Sequence, residues 1–166
     1  MGKPYDELVN EFKTYWKYYV FQSVAATLTI FILLLVVSIQ EKPVIIASIG
    51  ASTFIVFAMP GYITAQPRSL VGGHIVGTVS GFLVSIVPLP LFLPHNICLS
   101  ISYALVVGLS IFIMVVTDTE HPPAAGTALG VAIAGFSVKI VLTVLVSISI
   151  LSLAHHFLRH RLRDLT

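Results

Sequence analysis

The chain is 166 residues long, 57% hydrophobic and only 10% charged, with a net charge of +2 and a mean hydropathy of +0.98. Soluble domains carry about 25% charged residues, whereas only six formal charges occur here between Phe21 and Leu158: Glu41, Lys42, Arg68, Asp118, Glu120 and Lys139. This excludes a water-facing shell, and the chain reads as an all-α integral membrane protein whose main partner is the lipid bilayer.

The first predicted element covers residues 1–19. Tyr5, Leu8, Phe12, Tyr15 or Trp16, and Tyr19 recur at helical spacing, with Lys3, Asp6, Glu7, Glu11, Lys13 and Lys17 filling other positions. The pattern predicts an amphipathic helix lying in the interface, with Trp16, Tyr18 and Tyr19 at headgroup level. Residues 20–158 form a single transmembrane domain of about six apolar segments: Val20–Ile39, Pro43–Met59, Ser69–Val87, Ile97–Thr117, Pro122–Phe136 and Ile140–Leu158. The first of these is long enough for a span, and no small-residue cleavage site follows it, so a removable signal peptide is not expected.

Charge or proline breaks most segments: Glu41-Lys42-Pro43, Pro60-Gly61, Gln66-Pro67-Arg68, "PLPLFLP" at 88–94, and Asp118 to Pro123. The break at Gly135-Phe136-Ser137 follows from length. A helix over 122–158 would run about 55 Å, well beyond a bilayer core of about 30 Å. Ser137 is the expected N-cap of the last helix. Pro43–Met59 and Pro122–Phe136 are short, the mark of half-helices around a transport site. Arg159, Arg161 and Arg163 make 159–166 a basic cytoplasmic tail. With six spans both termini are then cytoplasmic, and the setting expected is a bacterial inner membrane. The lone Cys98 excludes an intramolecular disulfide or a cysteine-based metal cluster.

"GASTFIVF" at 50–57 parallels "GLSIFIMV" at 108–115, and each block leads into a polar, proline-bearing turn, "TAQPR" at 64–68 and "TEHPP" at 119–123. Small residues then recur every fourth position: Gly73, Gly77 and Gly81 in one case, Gly126, Gly130 and Ala134 in the other. These rows let helix backbones approach closely. The parallel suggests a repeated helical hairpin with both turns on one side of the membrane, facing one vestibule.

The polar turns carry the candidate chemistry. Proline suits the first turn of a helix, where its missing N–H costs nothing. Pro67 and Pro122 or Pro123 therefore start helices whose N-termini offer partial positive charge and free N–H groups, an anion site. Gln66, Arg68, His74 and His121 are the residues expected to bind or steer an anion, with Thr119 and Thr127 as hydroxyl donors. Asp118, Glu120 and His121 are proton-coupling candidates, the acids also serving to cap the helix or orient the imidazole.

"HPPAAGTAL" at 121–129, preceded by "GAS" at 50–52, "AQPR" at 65–68 and "GGH" at 72–74, resembles the HPP family of integral membrane proteins over roughly residues 20–155. Where the family pattern has Gly-Ala, this chain has Ala125-Gly126, which moves the glycine one position around its helix. Some members in cyanobacteria and chloroplasts are associated with nitrite transport, and the resemblance implies that this chain moves a small monovalent anion. Other members carry regulatory domains of the CBS type, none of which is expected here.

The function expected is a transporter or channel for a small inorganic anion, nitrite first, passive or proton-coupled, working as a homo-oligomer. The alternative is a non-transporting scaffold or sensor module that binds a ligand or partner at its polar turns. No nucleotide, nucleic-acid, metal or cofactor motif is present, and no nucleophile accompanies Asp118, Glu120 and His121, so an enzyme is not expected.

Overall fold

A computed structural model describes residues 3–37, 43–87, 94–135 and 137–166. Six helices follow in order: α1 Tyr5–Val36, α2 Pro43–Ala58, α3 Pro67–Ser85, α4 His95–Val116, α5 Pro122–Ala134 and α6 Val138–Leu158. No strand occurs among the described residues. The expected breaks at Glu41-Lys42 and at 88–93, and Phe136 itself, lie outside them.

α1 carries both the amphipathic N-terminal segment and the first span, and the two are set apart by a kink at Tyr15 (φ −116°, ψ 15°), just before the expected boundary at residue 19. No proline or glycine falls between residues 5 and 36, so nothing local stops the helix at residue 19. α1, α4 and α6 are long and apolar enough to cross a membrane. α5, at 13 residues, covers only about 20 Å and cannot cross alone. The two proposed hairpins are unequal: 16 and 19 residues for α2 and α3, against 22 and 13 for α4 and α5.

Helix ends follow local chemistry. Pro67 and Pro122 each occupy the first turn of their helix, as a residue without an N–H should. α4 ends in a Schellman arrangement: Thr119 N–H donates to the Met114 carbonyl (2.9 Å) and Asp118 N–H to that of Val115 (3.3 Å). Asp118 takes the left-handed position (φ 54°) usually given to glycine. Gly135 (φ 74°) ends α5 where the length argument requires a break. Ser137 is the N-cap residue of α6, without a side-chain capping bond.

The inner helices are α2, α3, α5 and α6; α1 packs on α2 and α6, and α4 on α3 and α5. The contact between α3 and α5 is the most extensive, and the glycine row makes it possible. A Cβ on Gly77 would overlap the Ala124 carbonyl oxygen, one on Gly81 would sit 2.5 Å from the Ala128 oxygen, and one on Gly73 2.7 Å from His121 Cβ. On the other side of α5, Gly126 faces Ser48 and Gly130 faces Ile45. All five packing glycines therefore serve contacts within one chain. Leu33, Ile45, Ile49, Val56, Leu70 and Ile148 fill the apolar core. Leu28, Phe31, Leu35, Leu105 and Phe112 point outward, as lipid-facing residues do.

The α2–α3 turn, the α4–α5 turn and the C-terminal tail gather at one end of the bundle. Arg68 pairs with Asp118 (2.9 Å), His155 Nε2 donates to the Pro60 carbonyl (3.1 Å), and Gly61 N–H donates to Asp164 (2.9 Å). Gln22, 1% exposed within α1, ties this end together. Its amide nitrogen donates to the Phe57 carbonyl and the Arg163 carbonyl (2.9 Å), and its oxygen accepts from Arg163 N–H (3.1 Å). Arg163 also lies 3.7 Å over the Tyr15 ring.

Candidate functional site

Where α2, α3 and the start of α5 meet, five polar side chains are sealed from solvent. Ser52, His74, His121 and Thr127 are fully buried and Ser48 is 5% exposed. Ser48 and Ser52 stand one turn apart on α2 and so share a face. His74 projects from α3, where the missing side chains of Gly73 and Gly77 let α5 come close enough to present His121 and Thr127.

The distances form a continuous chain. Ser48 Oγ donates to the Pro123 carbonyl and lies 2.7 Å from Thr127 Oγ1. Thr127 Oγ1 is 2.8 Å from His74 Nδ1. Ser52 Oγ is 2.8 Å from both His74 Nε2 and His121 Nε2 and 3.0 Å from the Ser48 carbonyl. His121 Nδ1 is 2.8 Å from the Thr64 carbonyl. The two rings are tilted, their centroids 5.1 Å apart.

Hydrogen-bond logic assigns both tautomers when the rings are neutral. The Thr64 carbonyl only accepts, so His121 carries its proton on Nδ1 and leaves Nε2 bare. Ser52 must then donate to His121 Nε2. Having a single proton, it accepts from His74, which carries its proton on Nε2. His74 Nδ1 is therefore bare and accepts from Thr127. Both rings are then fully bonded, as low-dielectric surroundings demand, and Ser48 divides its single proton between the Pro123 carbonyl and Thr127 Oγ1.

Of the residues singled out in the sequence, His74, His121 and Thr127 are brought together, while Gln66, Arg68 and Thr119 stand apart. Gln66 is the N-cap residue of α3 and makes no side-chain capping bond. Arg68, expected to hold an anion, is well exposed and committed to Asp118 and to the Thr117 carbonyl (3.2 Å). The Thr119 hydroxyl meets that of Thr117 (2.8 Å). Asp118 and Glu120 neither cap α5 nor orient His121: the helix has no side-chain cap, and Ser52 and Thr64 hold the imidazole. Asp118 instead closes α4.

The expectation of free N–H groups at the start of α5 is corrected as well. Pro122 and Pro123 have none, and Ala124 N–H donates to the His121 carbonyl (2.8 Å). Among the described residues no three His, Cys, Asp or Glu side chains converge as metal ligands. Sequence reasoning missed Ser48 and Ser52, although a pair of hydroxyls four residues apart in an otherwise apolar helix was a usable signal.

A cleft of about 300 Å³ adjoins the cluster between α4 and α5. Ile111, Met114, Val115 and Ala125 make it apolar, and Glu120, His121 and Pro122 complete the lining.

The family model described as "HPP, transmembrane region" matches residues 12–164, and the chain belongs to that family. It is 36% identical over 89 residues to a transmembrane protein of Dictyostelium discoideum, covering 54% of this chain and 30% of the relative. With a second transmembrane protein of the same organism it shares 34% over 90 residues, 54% of this chain and 28% of that one. The chain thus matches less than a third of the length of either relative. No solved structure matches it.

Proposed function

We propose that this HPP-family membrane protein carries a small monovalent anion, nitrite foremost, across the bilayer, with the cluster of Ser52, His74, His121 and Thr127 as its transit site. The observation that carries this reading is the burial of two histidines and three hydroxyls at the meeting of three helices in so apolar a chain. Polar groups in a membrane interior are expensive to keep and are retained for function. The short α5 starts at this depth and directs the positive end of its dipole toward the cluster. The adjoining α4–α5 cleft supplies an approach for a small solute. Arg68 and Asp118 brace the mouth, where they hold the two polar turns together.

On this reading the basic tail faces the cytoplasm of a bacterial cell, both termini lie there, and the working unit is a homo-oligomer meeting through the outward faces of α1 or α4. The complete hydrogen bonding of the cluster also fits a non-transporting scaffold or sensor module. Initial uptake of nitrite, nitrate, formate and chloride into proteoliposomes separates the two. Uptake of nitrite well above that of protein-free vesicles, and its loss in His74→Ala, is the expected result. Rates equal to protein-free vesicles for all four anions would overturn the transport reading.

A further inference from the structure

We infer that the His74–Ser52–His121 relay takes up one proton with each anion, making passage electroneutral, with His121 as the proton acceptor and Ser52 as the switch that admits it. The anion half of this inference rests on the function proposed above; the proton half stands on the geometry of the cluster alone.

An anion entering this region meets no spare positive charge. Arg68 is outside and paired, and the first turn of α5 offers no free N–H. A monovalent anion desolvated here stays uncompensated unless the protein gains a charge. The facing elements show where it can be gained. α2 and α5 contain no titratable side chain, and α4 presents Ile111, Met114 and Val115. α3 presents His74. The α4–α5 turn presents Glu120, and Asp118 is held by Arg68. From α6, His155 is turned to Pro60. Of the groups that face the cluster, only the imidazoles of His74 and His121 can become cationic.

The cluster is built so that His121 can do so with one hydroxyl rotation. In the neutral state Ser52 donates to His121 Nε2. When a proton is added to that nitrogen, the ring becomes a donor at both ends, to Ser52 Oγ and to the Thr64 carbonyl. The Ser52 hydroxyl then turns to the Ser48 carbonyl, already at 3.0 Å. Ser52 Oγ still accepts from His74 Nε2, so His74 keeps its tautomer and no group loses a partner. The proton comes from hydronium or from the undissociated acid of the anion: an O–H bond breaks as the N–H bond forms, and imidazolium balances the anion. Release on the other side reverses both events. His74 could gain a proton by an equivalent rotation of the Thr127 hydroxyl toward Ser48 Oγ, but it does not line the cleft, whereas His121 does and so meets the incoming proton first.

The first test is ¹⁵N-histidine NMR of the full chain in nanodiscs through about pH 4–8, the range around histidine titration. At the upper end His74 should carry its proton on Nε2 and His121 on Nδ1. On acidification His121 should gain the second proton while His74 remains unchanged. Ser52→Ala should lower the proton affinity of His121 by about tenfold or more, the factor a charge-assisted hydrogen bond commands, and Ser52→Thr should restore it. If Ser52→Ala does not fold, the wild-type spectra decide. The opposite tautomers, or no proton uptake at His121 across the series, would overturn the relay. The second test follows nitrite uptake with a trapped pH dye while membrane potential is clamped. One proton per nitrite, insensitive to potential, supports the inference, and potential-driven nitrite uptake without proton movement overturns it. Vesicles that carry no nitrite, with spectra as expected, would remove the anion reading and leave the proton relay standing.

Discussion

Gly77→Ala tests the packing that creates the cluster. A Cβ at this position would overlap the Ala124 carbonyl oxygen and come within 3.2 Å of its carbon. These are backbone atoms, so the strain cannot be relieved by a rotamer change, and α3 and α5 must part. Overpacking of this kind costs about 1–3 kcal/mol, and contact with backbone places Gly77 in the upper part of that range. Alanine recovers up to about 1 kcal/mol through its better helix propensity, leaving a net loss of about 1–2 kcal/mol. For a chain of this size 1 kcal/mol moves the midpoint by about 3 °C, so Tm should fall by about 3–6 °C. Separation of the helices also stretches the bonds joining His74 to Thr127 and, through Ser52, to His121. Gly108→Ala is the control: nothing lies within 4 Å of a Cβ there, so only the propensity gain remains and Tm should rise by up to about 3 °C. The assay is thermal unfolding of purified variants in one detergent at matched concentration. Midpoints that shift in the same direction for both variants would refute the close-approach argument.

Gln22→Leu should cost about 1–3 kcal/mol by leaving the Phe57 and Arg163 backbone groups unpaired, and limited proteolysis should release the tail faster than in the parent; an unchanged cleavage rate would count against the tie. Arg68→Gln removes an exposed ion pair and should change stability by less than about 1 kcal/mol, whereas Asp118→Ala also loses a residue suited to the left-handed position and should cost about 1–2 kcal/mol more; equal denaturation midpoints for the two would contradict this. Single cysteines replacing Lys3 and Arg161 in a Cys98→Ala background should react with an impermeant thiol reagent from the same side of the membrane, since Tyr19 and Leu165 meet in the fold; labelling from opposite sides would break the six-helix topology.

Membrane class and helix boundaries were legible from local information. Scarce charge required insertion in lipid. Pro43, Pro67 and Pro122 marked three helix starts, and bilayer thickness demanded the break at Gly135. The division of α1 into an amphipathic segment and a span was legible in composition, but its exact place, the kink at Tyr15, was not. His74, His121 and Thr127 stood out as rare polar residues in apolar segments, but their partners did not. Apart from its few hydroxyls α2 is apolar on every side, so the spacing of Ser48 and Ser52 was the one local hint of which face turns inward. Only packing rotates Ser48 and Ser52 toward His74, 22 positions on from Ser52, and His121, 69 positions on. Charge pairing is equally nonlocal: Arg68 resembled an anion ligand until the fold set Asp118 beside it. The same holds for Gln22, whose three partners come from Phe57 and Arg163 at separations of 35 and 141 residues. Local pattern thus determined where helices begin and end, and tertiary contact alone decided which of their faces meet, because an all-apolar helix in lipid carries no preferred direction until a neighbour supplies one.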